Sequence, residues 1–170
     1  MMLFIFFSLL LIGAGIIMAY EYNRDIPSSI SALVHDLPKE NQWMWSAWLA
    51  TISILILPSL LEAVPEEVEF LGFLTEVCLL GTSVTPLVEK ETRLGHYIFA
   101  IGAGILSQAC VAFICPSWLL VWLIMAMLLT ATFAGFNSLD EKTPSLLEGK
   151  GVFITEVLCA LSLYGCLLFH

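Results

Sequence analysis

The chain has 170 residues, 59 % of them hydrophobic and 12 % charged, and its mean hydropathy is +0.95. Soluble domains are about half apolar and a quarter charged, so this composition excludes an ordinary water-soluble fold and points to a bilayer. The formal net charge of −9 excludes a nucleic-acid-binding face and a polybasic membrane-surface anchor, both of which need clustered Lys and Arg.

Six apolar blocks follow one another, at about residues 3–19, 43–61, 70–88, 97–114, 118–136 and 152–170. Each approaches the roughly 20 residues that an α-helix needs to cross a bilayer. Six spans leave too little chain for a second domain, so residues 1–170 read as a single transmembrane domain of the all-α integral membrane class. The first block lacks a basic stretch before it, and its positive charge, Arg24, follows it. It is therefore read as a retained span, not a secretory signal.

The first connection is the only long one. Within it Ile26, Ile30, Leu33, Val34 and Leu37 form a helical apolar stripe, with Ser28 or Ser29 after Pro27 to cap its start and Pro38 to end it. A short amphipathic surface helix is expected there, bracketed by Tyr20, Tyr22, Trp43, Trp45 and Trp48 as an interfacial aromatic belt. The turn between blocks two and three holds Glu62, Glu66, Glu67 and Glu69 around Pro65. It reads as a solvated turn or, alternatively, as a mouth that concentrates cations.

All six basic residues lie in the odd-numbered connections: Arg24 and Lys39, then Lys90 and Arg93, then Lys142 and Lys150. Cytoplasmic loops carry the excess of Lys and Arg. The odd loops are thus expected in the cytoplasm and both termini outside, in a bacterial inner membrane or plasma membrane. Two strings recur. Gly13-Ala14-Gly15 in block one returns as Gly102-Ala103-Gly104 in block four, and Thr75-Glu76-Val77 in block three as Thr155-Glu156-Val157 in block six. With three spans per half, the recurrence admits a 3+3 inverted repeat; chance is the competing explanation, since such strings are common in apolar helices. The glycines also permit close helix approach.

Glu76 is the leading candidate for chemistry, because an ionisable group inside a span is costly unless paired or wetted. Glu69 shares its helix face. Gln108, with Ser107, is a polar pair at membrane depth that either bonds across helices or orients a ligand. His96 opens block four at the interface, where an imidazole titrating near neutrality suits headgroup contact or proton transfer. Glu156 lies one turn into block six, with an ion pair to Lys150 as the plainer reading. Cys78, Cys110, Cys115, Cys159 and Cys166 show no CxxC spacing, and the three His show no HxxxH or HExxH. No metal, cofactor or disulfide framework is expected. Nothing specifies nucleophilic or phosphoryl-transfer chemistry.

The expected function is a polytopic protein that binds or moves a lipid-like or small polar ligand, or a cation, at an intramembrane polar site lined by Glu76, Gln108, His96 and Glu156. A membrane-embedded lipid-modifying enzyme using His96, and a non-catalytic structural subunit, stand as alternatives. Membrane lipids and a second copy of the chain are the expected partners, without nucleic acid.

The stretch Ile26-Pro27-Ser28-Ser29-Ile30-Ser31, the sequence Leu94-Gly95-His96-Tyr97 heading block four, and the Glu opening block six form a layout over most of the chain. It resembles the six-span superfamily of DRAM autophagy modulators, GPI-anchor lipid-remodelling factors and their uncharacterised bacterial relatives. The resemblance implies lipid handling, with Ser29, Ser31, His96 and Glu156 as the matching positions. It also implies a first loop on the lumenal or outer side, opposite to the side the basic residues indicate.

Overall fold

A computed structural model describes residues 2–23, 29–30, 33–34, 37–85, 93–118, 121, 124, 127 and 151–170. Five helices account for most of them: α1 (Met2–Asn23), α2 (Gln42–Ala63), α3 (Glu69–Val84), α4 (Arg93–Ile114) and α5 (Gly151–Phe169). Short 3-10 turns cover Lys39–Asn41, Glu66–Val68 and Pro116–Trp118. No strand occurs among the described residues. Three segments, Lys39–Ala63, Leu94–Ile114 and Val152–Phe169, are long and apolar enough to cross a membrane, and Met2–Met18 is a shorter apolar helical stretch.

Of the expected span 70–88, residues 86–88 lie outside the described residues. The α3 helix stops at Val84, and Thr85 leaves the helical region with φ −113° and ψ 66°. Thr85 precedes Pro86, whose ring disfavours helical backbone in the residue before it. At 16 residues α3 is about 24 Å long, at 1.5 Å per residue. Pro58, by contrast, is accommodated inside α2. Of the expected span 118–136, Trp118 ends a 3-10 turn and Val121, Ile124 and Met127 are helical and exposed; the rest lies outside the described residues, as do Lys90, Lys142, Lys150 and Arg24.

Side-chain bonds set the helix directions. Ser8 donates to the Ile52 carbonyl (3.3 Å) and the Trp48 indole to the Leu11 carbonyl (2.9 Å), so α1 and α2 run antiparallel. Gln108 reaches the Cys159 carbonyl and Cys115 the Cys166 carbonyl, so α4 and α5 run parallel. The short Pro65 turn joins α2 to α3 at one end, which also holds the Cys115-Pro116 turn; loop one lies at the other.

The polarity of the bundle is inverted relative to a soluble protein. On α3 the exposed stripe is Phe70, Phe73, Leu74 and Val77, while Thr75, Glu76, Thr82 and Ser83 are buried. On α4, Leu94, Tyr97, Ile98, Ile101 and Ile105 face out, and His96, Ser107, Gln108 and Cys110 face in. Helical spacing assigns each set to one face. Apolar outside and hydrogen-bonded inside is the arrangement a hydrocarbon solvent selects. The main apolar core, with Ile56, Leu60, Val111, Ile114, Leu163 and Leu167, lies toward the Pro65 end.

Loop one departs from the surface-helix expectation. Among its described residues, Leu33 and Val34 form a 3-10 turn and are buried against Trp45, with Ile30 and Leu37 packed beside them. The apolar stripe is therefore turned into the end of the bundle, because Trp45 and its neighbours offer protein contact where lipid was expected. Ile26, Ser28, Ser31, His35 and Asp36 lie outside the described residues.

Candidate functional site

Glu76 sits two turns into α3 and is 4 % exposed. The Ser53 hydroxyl of α2 donates to its Oε1 at 2.6 Å, while Oε2 has no hydrogen-bond partner among the described residues. Gln108 of α4 is 3 % exposed. Its Nε2 donates to the Cys159 carbonyl (3.2 Å), and its Oε1 has no partner among the described residues. Two further buried oxygens share that condition, Ser59 Oγ on α2 and Ser162 Oγ on α5.

These four oxygens are spread along the bundle, with Glu76 level with Ser53, six residues along α2 from Ser59. They stand four (Ser59), seven (Glu76), six (Gln108) and seven (Ser162) residues from the helix ends nearest the Pro65 turn. At 1.5 Å per residue that is about 6–11 Å below those ends. Ser8 of α1 and Tyr164 of α5, hydrogen-bonded to one another, add a polar pair in the same half of the bundle. Thr75 bonds back to the Leu71 carbonyl and contacts the Cys110 sulfur. A belt of polar groups from all five helices thus crosses the half of the bundle nearer Pro65. Two of its unpartnered atoms, Glu76 Oε2 and Gln108 Oε1, accept hydrogen bonds when the carboxyl is ionised and the amide is neutral.

The site expected from the sequence is thereby divided. His96, twelve residues before Gln108 on α4, is about 18 Å away along the helix. It is buried within the protein at 1 % exposed, its Nδ1 lies 2.6 Å from the Thr85 carbonyl, and its ring lies tilted against that of Trp45. Facing a carbonyl, Nδ1 carries the proton and donates. Glu156 is at the same loop-one end, accepting the Ile30 backbone N–H, and the Trp45 indole donates to the Ile30 carbonyl at 3.3 Å. Ile30 is thus clamped between α5 and α2. Lys150, the expected ion-pair partner of Glu156, lies outside the described residues. Glu69 begins α3, half-buried, two turns beyond Glu76 toward the Pro65 end.

Sequence reasoning missed Ser8, Ser53, Ser59, Ser162 and Tyr164 as members of the belt. The only signal was a hydroxyl recurring inside apolar blocks, which packing alone would equally produce. Trp45 was read as belt aromatic, yet it is 3 % exposed and bonded to loop one.

The fold defines an all-helical protein whose apolar helices suit a membrane and which buries polar groups between its helices. No protein-family model, curated protein or solved structure matches the chain.

Proposed function

We propose that this chain is a six-span membrane protein that binds a cation or a small hydrogen-bond-donating ligand, a lipid headgroup included, in the polar belt around Glu76. One observation carries the reading: among the described residues, four buried oxygens on four helices have no hydrogen-bond partner. A buried acceptor left unsatisfied costs about 1–3 kcal/mol, and a proton, cation or donor-bearing group supplies what it lacks. Gln108 orients that group, and Glu69 stands toward the mouth.

Six spans are supported by the parallel run of α4 and α5, which requires the chain to return between them, and by helical Val121, Ile124 and Met127. The distribution of Lys and Arg then puts loop one in the cytoplasm and the Pro65 turn outside. The inverted repeat is favoured by the two Thr-Glu strings, since Glu76 lies nearer the Pro65 end and Glu156 nearer the loop-one end. The likeness to the DRAM and GPI-remodelling superfamily supports lipid handling and predicts the opposite orientation. A second copy is a natural partner for so small a bundle.

A structural role is the second reading, favoured by the burial of Glu76 and its bond to Ser53. The enzyme reading draws less support: among the described residues His96 bonds to Thr85, and Glu156 to Ile30. Purified protein and its Glu76→Gln variant, screened for thermal stabilisation by alkali cations, alkylammonium ions and lipid headgroup analogues, separate the two. A ligand at one hundred times its Kd stabilises by about 2.7 kcal/mol. Stabilisation of wild type alone supports binding. Equal responses in both proteins, or none in wild type, leave the structural role.

A further inference from the structure

The Pro65 end of the bundle holds three cysteines on two helices that the polar belt does not use. Cys110 and Cys166 are fully buried, and Cys115, just beyond the end of α4, is partly exposed. The Cys115 thiol points across at the last turn of α5, with Sγ 3.9 Å from the Cys166 carbonyl oxygen. That carbonyl already accepts the His170 backbone N–H at 3.0 Å, so Cys115 Sγ lies over the backbone of Cys166 itself. The helices are parallel and in register here, because Gln108 meets Cys159 and, one helical segment on, Cys115 meets Cys166.

Disulfide formation needs Cα atoms roughly 4.4–6.8 Å apart and side chains that turn toward each other. Cys115 and Cys166 stand on adjacent parallel helix ends, with the Cys115 sulfur against the Cys166 backbone and Cys115 beside a turn. Cys110 is five residues before Cys115 and deeper in the bundle, and its sulfur is engaged by Thr75. Cys78 and Cys159 stand elsewhere on α3 and α5.

We propose that Cys115 and Cys166 are a redox-active pair that closes to a disulfide between α4 and α5 by exchange with a small-molecule or protein disulfide. The partly exposed Cys115 thiolate attacks the oxidant's disulfide, forming a mixed disulfide and expelling one thiolate. The Cys166 thiolate then attacks the Cys115 sulfur, forming the protein disulfide and expelling the second thiolate. Two protein thiols are oxidised, one external disulfide is reduced to two thiols, and the two protons pass to the leaving sulfurs. The bridge ties α5 to α4 just beyond the belt that carries Gln108 and Ser162.

The test uses the full chain in detergent, incubated with oxidised glutathione, its remaining thiols counted by maleimide-polyethylene-glycol gel shift and its cross-link mapped by peptide mass spectrometry. The expected result is a fall from five free thiols to three, one linked peptide joining 115 to 166, and recovery on adding dithiothreitol. Cys115→Ser and Cys166→Ser each abolish the linked peptide, and a Cys78→Ala/Cys159→Ala variant keeps it. Five thiols persisting, a Cys110–Cys166 link, or links only between molecules would overturn the proposal. The wild-type mapping needs no substitution, so a variant that fails to fold does not shield the idea.

Discussion

The two oxygens of Glu76 differ by a single neighbour, the Ser53 hydroxyl at 2.6 Å from Oε1. Inside a bundle no water makes good the loss of such a donor, so its removal exposes the full cost of an unsatisfied acceptor. Ser53→Ala is expected to destabilise the protein by about 1–3 kcal/mol, read as the shift in reversible unfolding in mild detergent or bicelles. Ser59→Ala removes a hydroxyl whose oxygen has no partner and is expected to cost far less. Equal losses at the two positions would show that the Ser53 bond contributes nothing beyond filling space. Glu76 was legible from the sequence as an acid within an apolar block, and Gln108 for the same reason. Their serine partners were not, because a lone hydroxyl in an apolar helix signals neither a neighbour nor a direction.

Between helices, the approach of α1 to α2 depends on Gly15. A Cβ there would fall 2.4 Å from the Trp48 ring, whose indole N–H bonds to the Leu11 carbonyl, whereas one at Gly13 would meet nothing within 4 Å. Small residues set how closely helices pack when lipid surrounds them. Gly15→Ala is therefore expected to cost about 1–3 kcal/mol through displacement of the indole. Gly13→Ala is expected to be neutral or to stabilise by about 0.5–1 kcal/mol, since alanine is the better helix former. Paired unfolding curves check this, and a reversed order would contradict the α1–α2 contact. The Gly-Ala-Gly string announced close packing, but only the partner helix decides which glycine is touched. The end of α3 at Val84 follows a more local rule, since Thr85 precedes Pro86, whose ring disfavours helical backbone before it. Loop one failed differently. Its apolar stripe was correctly seen, but a stripe cannot say whether lipid or the indole of Trp45 covers it.

For the molecule as a whole, the apolar helices suit a bilayer, and the orientation proposed above rests on the Lys and Arg distribution. In a cysteine-free background, single cysteines at Asn41 and at Glu67, both exposed in short turns at opposite ends, distinguish the two sides. An impermeant maleimide applied to intact cells is expected to label position 67 and spare position 41 until the membrane is opened. Labelling of position 41 from outside would reverse the orientation and favour the superfamily likeness. Either outcome leaves the belt where it is, nearer the Pro65 end, because its depth follows from helix ends and not from orientation. The measurement that bears most directly on the belt itself is infrared difference spectroscopy of the Glu76 carboxyl. Reconstituted wild-type protein is perfused with and without the cation or donor that stabilises it. A carboxyl stretching band that shifts on perfusion, and is missing from a folded Glu76→Gln variant, is the predicted result. A wild-type carboxyl signal that no cation, ammonium ion or headgroup analogue moves would contradict binding at Glu76.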